Sequence, residues 1–247
     1  MNPASGEKLN IVMPMAGLGS RFREAGFKVP KPLIDVRGRP MYAWATESLP
    51  LEKSTRLIFI LLASQPELPD LQRDIKQRYA KHNPIILTVP ELTAGQAITV
   101  LRARDLINND KPLLIHNADT AFDIAPEWIE NAVVENLDGA LLVFSSQEKR
   151  WSFSRENRDG FVMEVREKEV VSPWASTGTY WFRRGADFVS AAEARFNSGK
   201  REASEFYVGP LYNDLIAQGA KVKNFEIRKL YCFGTPDDLA DTLQRMA

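Results

Sequence analysis

"NIVMPMAGLGSRF", residues 10–22, sets the reading of the whole chain. The apolar run 10–15 has the length and composition of a buried strand, and the two glycines after it mark a loop where the backbone lies close to something. A Walker loop needs G-x-x-x-x-G-K-[ST], and no Lys-Ser or Lys-Thr follows here. A dinucleotide fingerprint needs a third glycine where this chain has Phe22. The stretch is therefore a phosphate loop of a third kind. Gly17 and Gly19 expose backbone N–H groups in a nest suited to an anionic oxygen, and Arg21 adds a permanent charge on a planar donor fork.

Strand-like and helix-like segments alternate outward from this loop. Apolar runs at 10–15, 56–63, 84–89, 112–117 and 139–144 predict strands. Segments 40–49, 67–82, 93–107 and 125–137 predict helices, with Leu71, Ile75 and Tyr79 at helical spacing in the second. This rhythm predicts βαβ units and an α/β fold: one Rossmann-like domain with a mixed, mainly parallel sheet flanked by helices. After about 145 the rhythm changes. Two strands are expected in "GFVMEVREKEVV" and "STGTYWFRR", the first entered through the Asp159–Gly160 turn. Helices at about 186–196 and 205–218, a strand at 221–227 and a final helix from Pro236 complete the expectation. No linker or internal repeat interrupts the chain. It reads as a single domain over 1–247, with a nucleotide-binding half at about 10–137 and a strand-rich, acceptor-binding half at about 138–247.

Composition narrows the class. The 247 residues suffice for a full core, and 32 basic against 32 acidic residues leave no basic excess for a nucleic-acid surface. No apolar stretch approaches the ~20 residues of a membrane span. The opening "MNPASGEKLN" lacks a signal-peptide pattern and is read as a frayed end. The single Cys232 excludes an internal disulfide and fits a reducing compartment, so a soluble cytoplasmic protein is expected. The assembly state, monomer or homo-oligomer, is not read from the sequence.

In a parallel sheet, ligands bind beyond the carboxyl ends of the strands, which here carry "AGLGSRF", "ELTAGQA", "NADTAFD" and "SSQEKRW". Loops 16–22 and 116–123 are expected to face each other across one crevice. Lys31, between Pro30 and Pro32, sits on a stiff mount, and its partnership with the Gly-Arg loop lifts it above an ordinary surface lysine. Asp119 at a strand end is a candidate Mg²⁺ ligand, since hard cations share oxygen ligands with substrate phosphates. Its plainer alternative is a turn or capping aspartate. His116 reads as a core residue and His82 as a surface one. Lys168 at a predicted strand end could hold a second phosphate, with Thr177, Gly178 and Thr179 presenting small polar groups to a sugar-sized ligand.

Together, "GLGSRF", "PKPL", "AGQA", "NAD", "DGFVMEVREK", "STGTYWF" and "GTPDDL" occur in the order found in the NTP-dependent nucleotidyltransferases that make nucleotide sugars and related CDP-alcohols. The chain resembles that family from residue 11 to about 243. "EFYVGPLYNDLI" and "INNDKPLLIHNAD" look most like a small-chain branch met in capsule and lipopolysaccharide biosynthesis. The resemblance implies an NTP with its triphosphate on Ala16, Gly17, Leu18, Gly19 and Ser20, and its base near Glu91, Gly95 and Gln96. It implies Arg21 and Lys31 as the catalytic cations, and Asp119 as ligand of a Mg²⁺ cofactor. Asn117, Lys168, Thr177, Gly178, Thr179 and Glu205 would bind the phosphorylated small-molecule acceptor. Such enzymes commonly carry an aspartate two residues before the late Gly-Thr, where this chain has Cys232. A thiol is too soft for Mg²⁺, so either Asp119 works with substrate oxygens and water, or Asp237 or Asp238 substitutes.

The expected reaction couples an NTP to a sugar 1-phosphate, with a cytidylyltransferase acting on phosphocholine, a phosphonate or another non-sugar phosphate as its nearest alternative. A glycosyltransferase of similar fold would want a D-x-D motif, for which the chain offers only Asp119 and Asp123, four apart. A nucleotide sensor without chemistry is a third class, opposed by the retained Arg21, Lys31 and Lys168.

Overall fold

Strand and helix alternate from the first element of the computed structural model, which describes residues 8–201 and 205–246. Most of the segment expected to fray, residues 1–7, lies outside that range. β1 (Leu9–Met15) leads through the glycine loop into α1 (Ser20–Glu24) and a short 3₁₀ turn, Lys31–Leu33. A small hairpin, β2 (Asp35–Val36) and β3 (Arg39–Pro40), precedes α2 (Met41–Glu47). Then follow β4 (Ser54–Leu62), α3 (Leu68–Arg78), β5 (Ile85–Val89), α4 (Gln96–Leu101) and α5 (Arg104–Ile107). β6 (Leu113–His116), β7 (Thr120–Asp123), α6 (Trp128–Val134) and β8 (Gly139–Ser145) complete the first half. The second half holds β9 (Ser152–Glu156), β10 (Val162–Glu167), β11 (Trp174–Phe182), α7 (Gly185–Ser198) and α8 (Leu211–Ala217). It closes with β12 (Val222–Glu226), β13 (Lys229–Cys232) and α9 (Pro236–Arg245).

Among the described residues, nine strands form the main sheet in the order β10-β9-β11-β6-β1-β4-β5, with β8 on β11 and β12 on β8. β6, β1, β4 and β5 are parallel, as the alternating first half requires. β11 then enters antiparallel between β6 and β8, so the fifth expected strand does not continue the parallel run. This insertion places Thr179 opposite His116 and joins the two halves in one sheet. Because both its faces are covered, β11 is buried from Ala175 to Phe182.

One face of the sheet packs on α4, α7 and α8 through Val100, Phe188 and Tyr212. The other packs on α2, α3 and α6 through Tyr42, Leu71, Ile75 and Trp128. Side chains such as Trp181 and Phe59 are wholly enclosed, each worth roughly 1.5–3 kcal/mol of transfer free energy. A third small core lies beneath α1 and α9, where Phe22, Ala121, Phe233 and Leu239 meet. It fastens the late "GTPDDL" segment to the glycine loop.

Several expectations differ in detail. The predicted helix 93–107 is two short helices, broken where Ala103 leaves helical angles at φ −93°, ψ 11°. β9 precedes the Asp159–Gly160 turn, so that turn closes a hairpin between β9 and β10. The helix expected at 205–218 begins at Leu211. Among the described residues, no helix is long and apolar enough to cross a membrane.

Candidate active site

The glycine loop reaches its shape through one residue. Gly19 caps α1 at φ 61°, in the left-handed region, and a Cβ there would lie 2.9 Å from the Lys31 Cβ. Backbone angle and contact both demand glycine. Gly17 has nothing within 4 Å of a would-be Cβ and opens toward solvent. Arg21, in the first turn of α1, is exposed, and its side chain makes no hydrogen bond or ion pair among the described residues. It lines a cavity of about 550 Å³ with Glu24, Arg150, Thr235 and Asp237.

Lys31 occupies the centre. Pro30 and Pro32 flank it in the 3₁₀ turn, and its Nζ donates to Asp119 Oδ2 at 2.5 Å and to the Gly234 carbonyl at 2.9 Å. The ammonium also lies 5.3 Å from the centre of the Phe22 ring. Thus the Gly-Arg loop, the Pro-Lys-Pro turn, the Asp119 turn and the late Gly-Thr segment converge on one cation. Burial by itself would raise the Asp119 pKa, but the Lys31 ammonium, with smaller help from His116 and Arg21, holds it below the ordinary carboxylate value.

The late segment is braced from the other side. Thr235 caps α9 and shares a capping box with Asp238, whose Oδ2 accepts from Thr235 N at 2.9 Å and Oγ1 at 2.8 Å. Arg150, from the segment after β8, donates to the same oxygen at 2.7 Å. Gly234 is hemmed in: a Cβ there would meet Asp238 Oδ2 at 3.2 Å, Cys232 Sγ at 3.6 Å and Asp119 Oδ2 at 4.0 Å. Cys232 pairs with Thr120 across β13 and β7, and burial pushes its thiol up to about 12, so it stays protonated at neutral pH.

These residues test the fit of a divalent cation. Among the described residues no group of three His, Cys, Asp or Glu side chains could hold a metal. The donor set beside Lys31 is one carboxylate, Asp119, with a neutral thiol where a second could stand and Asp238 already engaged by Thr235 and Arg150. Such a set fits Mg²⁺ carried on substrate phosphates, with Asp119 as its protein ligand and water completing the shell. It does not fit an all-protein cage.

The residues expected beside the base and those expected beside the acceptor are joined by hydrogen bonds, some within the first half and some across to the second. Gly95, at φ 134°, would drive a Cβ to 2.5 Å from Phe206 N. Ala97 N donates to Phe206 O at 2.9 Å and Phe206 N to Ala94 O at 3.0 Å, tying the two segments together. Gln96 Nε2 donates to Asn117 Oδ1, and Asn117 N donates to Gly178 O at 3.1 Å. Gly178 stands at φ 79° in the irregular stretch of β11, with the Asn117 amide where a Cβ would project. Glu91 is exposed beyond β5.

Lys168 adopts φ 59°, a strained angle for a residue with a side chain, and its N–H donates to Trp151 O at 2.9 Å. Its Nζ lies 5.6 Å from the Tyr207 ring centre. The Tyr207 hydroxyl first, then the Glu205 and Glu167 carboxylates, hold the Lys168 pKa above the ordinary lysine value. Thr177 and Thr179 are placed differently from the expectation of hydroxyls facing a ligand. Both are buried: Thr177 reaches Leu142 O and Thr179 Oγ1, and Thr179 reaches His116 Nδ1. They are spent inside the sheet because β11 is covered on both faces.

Sequence reasoning did not single out the Gly234 carbonyl, Arg150, Tyr207 or Phe206. Arg150 was within reach, since "SSQEKRW" follows a strand end; a backbone carbonyl leaves no trace in residue type.

The nucleotidyl transferase family profile matches residues 10–245. Among solved structures, the chain is similar to a nucleoside-diphosphate-sugar pyrophosphorylase from Vibrio cholerae RC9, with 28% identity and a TM-score of 0.82, covering 95% of this chain and 99% of that one. The inositol-1-phosphate CTP transferase from T. maritima shares the fold at 13% identity and TM-score 0.75, over 98% and 97% of the two chains. A UDP-glucose pyrophosphorylase from Acinetobacter does so at 14% identity and TM-score 0.72, over 96% and 92%. No curated protein sequence matches the chain.

Proposed function

The chain belongs to the nucleotidyl transferase family, and from that premise we propose that it joins the nucleoside monophosphate unit of an NTP to a sugar 1-phosphate, giving an NDP-sugar and pyrophosphate. An oxygen of the acceptor phosphate attacks the α-phosphorus, the bond from that phosphorus to the bridging oxygen of the β-phosphate breaks, and pyrophosphate leaves with the electron pair. The acceptor phosphate is already largely ionised at neutral pH, its second pKa being about 6, so no general base is required. Acceleration then comes from positioning and charge stabilisation.

Lys31 carries this reading. Its ammonium is held by Asp119 and the Gly234 carbonyl beside the glycine loop, ready to meet charge developing on the α-phosphate and the leaving group. Arg21, exposed and with no side-chain hydrogen bond or ion pair among the described residues, is positioned to take the triphosphate. Mg²⁺, when bound by Asp119, would neutralise phosphate charge and align the reacting groups. Lys168, beside Tyr207 and Glu205, orients the acceptor phosphate, while Asn117 and Gly178 border the acceptor and Gln96 and Gly95 the base. A cytoplasmic enzyme with these two substrates needs no nucleic-acid or membrane partner.

The experiment is a screen of four NTPs against sugar 1-phosphates, phosphocholine and phosphonates, with pyrophosphate release as readout and Lys31→Ala as control. Release with a sugar 1-phosphate supports the proposal. Release confined to phosphocholine or a phosphonate moves it to a cytidylyltransferase-type acceptor, and none above the control across the panel overturns it.

A further inference from the structure

His116 is one of two histidines in the chain, and it ends β6 with its ring fully enclosed. Its Nε2 lies 2.7 Å from the Thr120 carbonyl oxygen and its Nδ1 2.8 Å from Thr179 Oγ1. A carbonyl only accepts, so the ring proton is on Nε2. Nδ1 of the neutral ring then accepts, and the Thr179 hydroxyl must donate to it. Thr179 Oγ1 in turn accepts from Thr177 Oγ1, also on β11, at 2.8 Å. Phe122 of β7 closes the remaining edge, with ring centres 5.4 Å apart at 88°.

The ring bridges the two ends of a short turn. Between its attachment at 116 and its hydrogen bond at 120 lie Asn117, Ala118 and Asp119, which include the acceptor-side amide and the carboxylate that receives Lys31. Backbone bonds also hold this turn, from Asn117 N to Gly178 O and from Phe233 N to Asp119 O. His116 is the side chain that spans it end to end and anchors it to β11. We infer that His116 is a positioning residue, whose Nε2–H grip on Thr120 and Nδ1 bond from Thr179 set where Asp119 presents its carboxylate to Lys31. The kinetic part of this inference rests on the nucleotidyl transfer proposed above.

A merely structural histidine would cost stability when replaced and leave kcat alone. His116→Gln keeps a donor near the Nε2 position and loses the acceptor at Nδ1. Thr179→Val removes the hydroxyl at nearly constant volume. Each is expected to lower kcat about tenfold, because small displacements of catalytic groups are costly, with acceptor KM changed less than about twofold. If Thr179 touched the acceptor directly, KM would rise instead. Adding Thr179→Val to His116→Gln is expected to cost less than about twofold more, since the two act through one relay.

The test has a readout free of turnover. In the ligand-free chain labelled with ¹⁵N-histidine, with His82→Gln used to assign the signals, His116 should show the Nε2–H neutral form. The Asp119 carboxyl ¹³C signal should move in both variants. If the wild type releases no pyrophosphate but these signals behave as stated, the functional proposal fails and the positioning link stands. An Nδ1–H ring, an unmoved Asp119 signal, or unchanged kcat in both variants of an active enzyme overturns the inference.

Discussion

Lys31 Nζ lies 2.5 Å from Asp119 Oδ2, a contact between residues 88 positions apart that joins the Pro-Lys-Pro turn to the turn after β6. Both groups are partly shielded, with side-chain exposures of 17% and 30%, so the pair is less screened than a surface salt bridge. The same ammonium also holds the Gly234 carbonyl, and three segments therefore depend on one side chain.

Lys31→Ala is expected to lower kcat by roughly 10²–10³, the scale of removing one transition-state donor. Lys31→Arg should recover little, because the planar guanidinium cannot copy a point charge seated between a carboxylate and a carbonyl. Steady-state pyrophosphate release, with circular dichroism to confirm folding, checks both.

Chelation by EDTA should abolish turnover, and Mg²⁺ should restore it. Asp119→Asn is expected to raise the half-saturating Mg²⁺ concentration about tenfold or more, while Cys232→Ser leaves it within about twofold because the thiol is protonated and no ligand. Titration of activity with Mg²⁺ distinguishes the two variants.

Stability should fall as pH drops from about 6.5 to about 4. Burial lowers the His116 pKa from 6.5 to about 4, so across this window the unfolded chain binds a proton that the folded chain does not. The slope from this group is about 1.4 kcal/mol per pH unit, with stability rising as pH rises. Below that window, protonation of Asp119, whose pKa Lys31 depresses, removes further stability. Urea melts at pH 4.5, 5.5 and 7 should show this slope in the wild type and a flatter one in His116→Gln.

Glycine substitutions should separate by contact. Gly178→Ala pushes a Cβ to 2.1 Å from Asn117 Nδ2 at a positive φ, and Gly95→Ala to 2.5 Å from Phe206 N. Each should destabilise by about 1–3 kcal/mol or more and depress activity. Gly17→Ala meets nothing within 4 Å and should leave the melting temperature nearly unchanged. Thermal melts compare the three.

The first half of the chain was legible because its signals are local. β1, β4 and β6 are apolar runs buried in a parallel stack that β5 completes at its edge, and "AGLGSRF" and "PKP" announce loop geometry by residue type. β7, β9 and β13 went unread, since "TAFD", "SFSRE" and "KLYC" are short and mixed, and only their partners make them strands. Thr177 and Thr179 read as ligand-facing from the sequence because they are small and polar. Their hydroxyls turn inward once β11 is covered on both sides.

By itself the sequence determined the alternation of elements, the glycine loop after β1 and the identities of Arg21, Lys31, Asp119 and Lys168 as bearers of charge. Tertiary structure alone decided that Lys31 closes on a carbonyl 203 residues away, that Arg150 engages Asp238, and that Asn117 meets Gly178 across the halves. The reason is physical. Residue type fixes charge, size and preferred backbone angles, whereas a contact between distant segments exists only once packing has placed them, and its donor or acceptor is often a backbone atom that every residue carries.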